Sequence, residues 1–296
     1  MNLSNQLLLA PGEIIRETYE VDRFIGSGAF AEVYRVRHKF LGLQALKVLR
    51  PESIKGVDIS SFISEATILS HLTHPNIVRV FDANTFIKQS KELAFISMEY
   101  VSGESLYQLL RRSIRLKIPL ALSIQRDICS GLSLAHRQAP PVVHRDVKPQ
   151  NIMLSYDSSP PTAKVSDFGL AKVVDPKSRL VDSAGTMIYF APEDFLGYHT
   201  PASDVFSAGI ILYQMVAGVP PWSYEFCGTE SDSQQLEKII EQGRKKKLER
   251  PSLYNDLCDK SLDEIILRSI AEKPADRYKD ATEFLDALTV YQDRDS

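Results

Sequence analysis

The sequence predicts an α+β chain in two lobes, a small antiparallel β-rich lobe followed by a larger α-helical one. Three observations carry this reading. Short runs of β-branched and aromatic residues, broken by glycine and polar residues, fill the chain as far as about Glu99. One segment of helical period interrupts them, and beyond Tyr100 apolar residues recur at three- and four-residue spacing instead. At 296 residues the chain is long enough for two lobes with a core each.

In chain order, residues 1–17 read as an N-terminal extension and 18–292 as the domain. Its small lobe spans about 18–99, a hinge about 99–102, and its large lobe about 103–292. Tyr19, Val21 and Phe24-Ile25 predict a strand leading into a glycine turn, Val33 and Val36 its return, and Ala45 to Leu49 the next strand. Ile59 to Leu72 predicts a helix with Phe62, Ala66, Leu69 and Leu72 on one face. Strands follow near Ile77–Phe81 and Leu93–Glu99. Leu120, Ile124, Ile128, Leu132 and Ala135 then form a helical stripe. The stretch from Ser203-Asp204 to Met215 is apolar almost all round, the mark of a buried helix. Leu262–Ile270 and Ala281–Leu288 predict closing helices.

Composition narrows the function classes. Apolar residues at 44% and charged residues at 25% are ordinary for a globular protein. A net charge of -3 supplies no field for nucleic acid or a membrane surface, so no nucleic-acid partner is expected. No run approaches the roughly 20 apolar residues of a membrane span, and Leu7-Leu8-Leu9-Ala10 lacks the basic segment of a signal peptide. Cys129, Cys227 and Cys258 are few, odd in number and scattered, which argues against a disulfide framework or zinc site and for a reducing cytoplasm.

The chemistry concentrates in His144-Arg145-Asp146-Val147-Lys148-Pro149-Gln150-Asn151 and in Asp167-Phe168-Gly169. These place a candidate base, a cation for phosphate and two oxygen-bearing metal ligands in one short span. Upstream, Gly26-Ser27-Gly28-Ala29-Phe30-Ala31-Glu32-Val33 is a run of small residues through which backbone N–H groups can approach phosphates. Ala45-Leu46-Lys47 sits on a later strand, and Ala191-Pro192-Glu193 lies downstream. Together these resemble the Hanks-type serine/threonine protein kinase catalytic domain, with its H-R-D-x-x-x-x-N, D-F-G, G-x-G-x-x-G-x-V, V-A-I-K and A-P-E patterns. The resemblance runs from about Tyr19 to about Leu288, and Ala31 replaces the third glycine of the loop.

The resemblance implies the bilobal protein-kinase fold and transfer of the ATP γ-phosphoryl group to Ser/Thr hydroxyls of proteins, with Mg²⁺, or Mn²⁺ in its place, as the metal. Asp146 would be the base or orienting acid and Lys148 would neutralise the γ-phosphate. Lys47 would bind the α- and β-phosphates with Glu65 as its ion-pair partner, and Thr186 would hydrogen-bond near Asp146 and Lys148. Asn151 and Asp167 would hold the metal. Gly26, Ser27, Gly28, Ala29, Phe30, Ala31, Val33, Ala45, Met98, Glu99, Val101 and Met153 would line the nucleotide. His144 would support the loop backbone against Phe168, and Glu193 would pair with Arg277. Arg145 and Lys172 would receive a phosphate on the activation segment, whose hydroxyls are Ser178, Ser183 and Thr186, with Asp182 as a partial phosphate substitute. Self-association for autophosphorylation is the family expectation. Gln150 stands where several basophilic kinases carry an acid. The alternative is a catalytically silent pseudokinase acting as an ATP-binding scaffold; it predicts loss of Lys47, Asp146 or Asp167, and all three are present. A small-molecule phosphotransferase of related fold generally lacks the A-P-E segment. Outside these motifs, Arg244-Lys245-Lys246-Lys247 reads as a solvated helix end, with a docking site for acidic partners as the sharper reading. Trp222 reads as core packing.

Overall fold

The computed structural model describes residues 7–28, 31–51, 59–168, 187–226 and 233–294. They divide into two compact units. One holds residues up to Thr73 together with Val78–Tyr100, and the other holds His74–Ile77 and the chain from Val101 onward.

The first unit is built on an antiparallel sheet of β1 (Ile14–Ile15), β2 (Tyr19–Ser27), β3 (Ala31–His38), β4 (Gly42–Leu49), β5 (Val80–Lys88) and β6 (Lys91–Glu99), in the order β1-β2-β3-β4-β6-β5. Alternation puts Tyr19, Val21, Tyr34, Val36, Leu46, Val48, Leu93 and Phe95 into one core. The register sets Val33 opposite Lys47, and Lys47 opposite Ile96, so Lys47 stands on a central strand. Helix α1 (Ile59–Ser70) packs on β5 and buries Ala66 and Leu69.

Residues 9–15, read from the sequence as part of an extension, are built into this unit. Leu9 and Ile15 belong to its core. Leu8 N–H donates to Glu32 Oε2 at 2.9 Å and Leu9 N–H to the Tyr34 hydroxyl at 3.0 Å. Glu13 pairs with Lys88, and Arg16 donates to Asn84 Oδ1 and the Thr85 carbonyl. These contacts join β1 to β5 from opposite ends of the strand order, so the sheet curls toward closure.

The strand predicted near Ile77–Phe81 starts later, at Val80, and runs to Lys88. The reason is that residues 74–77 serve the other unit. Ile77 bridges Val165, and the Asn76 carbonyl accepts from Val165 N–H at 2.9 Å.

The second unit is mostly helical. After β7 (Gly103–Ser105) come α2 (Leu106–Arg112) and α3 (Ile118–His136), the latter starting on Pro119 in its first turn. A small sheet of β7, β8 (Ile152–Ser155) and β9 (Thr162–Val165) follows. Helix α4 (Pro201–Ala217) is buried from Ala202 to Ala217 except at Gln214 and stops on Gly218 at φ 80°. Around it stand α5 (Ser233–Arg244), α6 (Lys260–Ser269) and α7 (Ala281–Asp293). Gly209 lets α4 meet α6, since a Cβ there would come within 2.1 Å of Ser269 Oγ. Cys129 and Cys258 are buried free thiols, both pushed up to about 12 by burial. Cys227 lies outside the described residues.

Candidate active site

The loop His144–Asn151 joins α3 to β8, and its side chains converge. Asp146 Oδ2 accepts from Lys148 Nζ at 2.9 Å and from Asn151 Nδ2 at 2.9 Å. The same amide also donates to the Asp146 carbonyl at 2.8 Å. The nitrogen of Asn151 is therefore committed to Asp146, and its amide oxygen is the atom left for a cation. The Asn151 carbonyl accepts from Ser166 N–H at 2.8 Å, which fastens the segment carrying Asp167 to this loop. Arg145 and Asp167 both have positive φ, 69° and 64°, a conformation that non-glycine residues hold only where surrounding contacts enforce it.

His144 is fully buried, with its ring 4.5 Å from that of Phe168. Its Nδ1 accepts from Asp146 N–H at 3.2 Å, so Nε2 carries the proton and donates to the Ser166 carbonyl at 2.8 Å. With both nitrogens occupied by backbone, His144 supports the loop.

The enforcing contact at Arg145 comes from a residue that motif reading missed. Asp204, in the first turn of α4, accepts from His144 N–H at 2.7 Å and Arg145 N–H at 2.9 Å. Its Oδ2 also accepts from His136 Nε2 at 2.9 Å; His136 Nδ1 in turn accepts from Ala281 N–H, so the proton sits on Nε2. Burial pushes the Asp204 carboxyl up, but the His136 hydrogen bond and its neighbours outweigh it and hold the group below its ordinary value. A signal was available in the sequence: a lone carboxylate in an otherwise apolar helix must be paired.

Downstream, Glu193 and Arg277 form a two-pronged ion pair at 2.7 and 3.0 Å. Arg277 also donates to the carbonyls of Ala271, Glu272 and Ala202, and Ser203 Oγ donates to Glu193. The basic run departs from its reading as a solvated helix end. Lys245, Lys246 and Lys247 are exposed, but Arg244 turns inward over the rings of Phe195, Phe206 and Trp222, because a planar guanidinium stacks on aromatic faces as an ammonium does not. Trp222 is buried and stacked on Phe206.

The remaining site residues fall in two groups. In the β-rich unit, Gly26 and Ser27 end β2 opposite Val33 and Glu32, and Gly28 N–H donates to the Ala31 carbonyl. Ala45, Lys47 and Met98 stand on β4 and β6, and Glu99 is the last residue of β6. In the helical unit, Val101 is buried and Met153 lies on β8. Ala29 and Phe30 lie outside the described residues, as do Lys172, Ser178, Asp182, Ser183 and Thr186; of Glu65, only its place in α1 is described.

The family model described as "Protein kinase domain" matches residues 19–288. The chain is 32% identical to Probable serine/threonine-protein kinase CPE1738 of Clostridium perfringens, covering 94% of this chain and 38% of that one. It is 34% identical to serine/threonine-protein kinase PknA of Mycobacterium tuberculosis, covering 94% and 62%. Among solved structures, the Mycobacterium tuberculosis PknI kinase domain superposes with a TM-score of 0.69 at 28% identity, covering 96% of this chain and 99% of that one. The chain thus spans 38% to 42% of the length of the first three curated relatives it matches.

Proposed function

Because this chain belongs to the protein kinase domain family, we propose that it transfers the γ-phosphoryl group of ATP to serine and threonine hydroxyls of proteins. The observation that carries this reading is the convergence of Lys148 and Asn151 on Asp146. It gives the acceptor hydroxyl one carboxylate to orient it and take its proton, with a cation 2.9 Å away to meet the transferred phosphoryl.

The residues present fit a divalent metal of Mg²⁺ type. Their donors are the amide oxygen of Asn151 and the carboxylate of Asp167. These are hard oxygen ligands, and two protein ligands plus phosphates and water is the usual Mg²⁺ arrangement. When bound, that ion neutralises charge between the β- and γ-phosphates. Mn²⁺, with the same ligand preference, serves as a substitute. Asp146 holds the acceptor oxygen in line, Lys148 carries the γ-phosphate charge, and Lys47 carries that of the α- and β-phosphates. The transition state is loose, so positioning supplies most of the acceleration. Thr186 and Lys148 favour Ser/Thr over Tyr acceptors, and trans-phosphorylation between copies is the route by which Ser178, Ser183 or Thr186 would be modified.

The test is a phosphotransfer assay with labelled ATP, Mg²⁺ and dephosphorylated casein, comparing the wild type with Asp146→Asn. Label on serine or threonine from the wild type alone supports the reading. ATP binding with no transfer by either protein, in the presence of Mg²⁺ or Mn²⁺, would leave the silent scaffold in its place.

A further inference from the structure

Glu32 is a carboxylate only 5% exposed, set near the end of the β2–β3 hairpin, and it has no role in the chemistry assigned above. It is the second residue of β3 and stands opposite Ser27. Beyond that pair the hairpin closes through Gly28 N–H, which donates to the Ala31 carbonyl at 2.9 Å. Glu32 thus occupies the last rung before the glycine-rich turn.

Register decides which way it faces. Glu32 lies opposite Val48, and Tyr34 opposite Leu46, so by strand alternation these four share the face that carries the core. Val33 lies opposite Lys47 on the other face, where Lys47 would meet the nucleotide. Whatever holds Glu32 therefore holds the hairpin from behind, clear of the phosphates.

What holds it is the chain ahead of the sheet. Residues 7–10 lie outside any strand, so their N–H groups have no ladder to join. Leu8 N–H donates to Glu32 Oε2 at 2.9 Å, and Leu9 N–H to the Tyr34 hydroxyl at 3.0 Å. That hydroxyl donates in turn to Glu32 Oε2. Burial, and then the bond to Glu32, push the Tyr34 hydroxyl up, so it stays a donor. Arg50 Nη2 stands 3.4 Å from the other carboxylate oxygen, and Leu9 is sunk in the core beneath. A buried carboxylate is costly unless its oxygens are met, so the backbone of Leu8 and the carboxylate of Glu32 hold one another in place.

We infer that Glu32, clamped by the backbone of Leu8 and Leu9, is a positioning residue for the nucleotide. It fixes the last rung of the hairpin from the core side and so keeps the N–H groups of Gly26–Gly28 in register to meet phosphates. Glycine backbone has no side chain to hold it and depends on such an anchor. This rests on the phosphotransfer reading above and deepens it for the nucleotide.

The test pairs variants of the full chain. Leu8→Pro deletes the N–H that reaches Glu32, and Leu8→Ala keeps it while shortening the same side chain. Glu32→Ala removes the acceptor, and Glu32→Gln keeps an acceptor oxygen. Leu93→Ala opens the same core from β6, away from the hairpin end. ADP affinity is read by calorimetry with Mg²⁺, and the KM for ATP and for dephosphorylated casein by steady-state kinetics. Leu8→Pro and Glu32→Ala should each weaken ADP binding and raise the ATP KM about three- to tenfold, the loss of roughly one hydrogen bond, with the casein KM unchanged. Leu8→Ala and Glu32→Gln should stay within about twofold of the wild type, and Leu93→Ala should lower the melting temperature alone. Leu8→Pro remains informative if Glu32→Ala folds poorly. Unchanged ADP affinity in Leu8→Pro and in folded Glu32→Ala, or an equal loss in Leu93→Ala, overturns the inference and leaves the kinase reading intact. A wild type that labels no casein overturns the kinase reading, and the ADP affinities then decide the clamp by themselves. A wild type that binds no ADP overturns both.

Discussion

Asp204 shows how one side chain can matter without touching a reactant. Its two oxygens receive two backbone N–H groups of the His144–Asn151 loop and one imidazole N–H, those of His144 and His136 buried and that of Arg145 partly so. Replacing it with alanine leaves those donors without their acceptor, at about 1–3 kcal/mol each. It also releases Arg145 from its positive φ, 69°, and with it the position of Asp146. Asp204→Ala should therefore lose both melting temperature and kcat, and Asp204→Asn, which keeps an acceptor oxygen, should lose less of each. Equal kcat in folded Asp204→Ala and wild type would show that the loop holds itself. Asp146, Lys148, Asn151 and Asp167 stood out in the sequence because those residue types sit at fixed spacing within one loop and the segment after it, and the structure brings Lys148 and Asn151 onto Asp146. Asp204 did not, because it works through partners more than 15 residues away, and its own neighbourhood reads as ordinary helix.

At the scale of elements, α4 is the piece on which several of the helical unit's segments hang. Ser203 reaches Glu193, Asp204 the His144–Asn151 loop and Ser207 the Tyr189 carbonyl, all from its first two turns. Its close seating on α6 depends on Gly209. Gly209→Ala would drive a methyl into Ser269 Oγ, where 2.1 Å is available, and such overpacking costs about 1–3 kcal/mol. A lower melting temperature is the expected reading, and an unchanged one would mean that α6 yields freely. The Glu193–Arg277 pair makes a pH-dependent contribution. Burial raises the Glu193 carboxyl, but the Arg277 hydrogen bonds outweigh that and hold it below the ordinary 4.5. A depressed carboxylate stabilises the fold above its unfolded value and loses that effect as pH falls through the folded one. The stability gap between wild type and Glu193→Gln should therefore be steady near neutrality and narrow below pH 4.5. A gap that widens on acidification would reverse the sign of the argument. Helices α1, α3, α6 and α7 were legible because their apolar period survives in the sequence, α4 was recognised by its apolar surround, and the short α2 was missed. The start of β5 was not legible, because Ile77 carries strand character yet belongs to the helical unit, where it bridges Val165.

For the whole molecule, the informative mismatch is between where the family match begins and where the core begins. The match starts at residue 19, yet Leu9 and Ile15 are buried in the first unit's core beside Tyr19, Val21 and Tyr34. The sequence gives little warning of this, since Leu7–Ala10 is short and Pro11-Gly12 reads as a break. What seats the segment is tertiary: Leu8 and Leu9 donate to Glu32 and Tyr34, and Gly12 at φ 81° donates to the Val21 carbonyl at 2.7 Å. Burying a side chain of leucine or isoleucine size is worth about 1.5–3 kcal/mol, so losing both is comparable to a sizeable part of a domain's net stability. A chain that begins at Tyr19 should therefore unfold its β-rich unit at a clearly lower temperature. Its helical unit, which shares none of these contacts, should hold amide-exchange protection in α3, α4 and α7. Exchange of the strand containing Glu32 and Tyr34 is the sensitive readout, because that strand loses two donors as well as two apolar neighbours. If protection there matches that of the full chain, residues 9–15 are dispensable cover; if it falls while α4 stays protected, the structural domain begins about ten residues ahead of Tyr19.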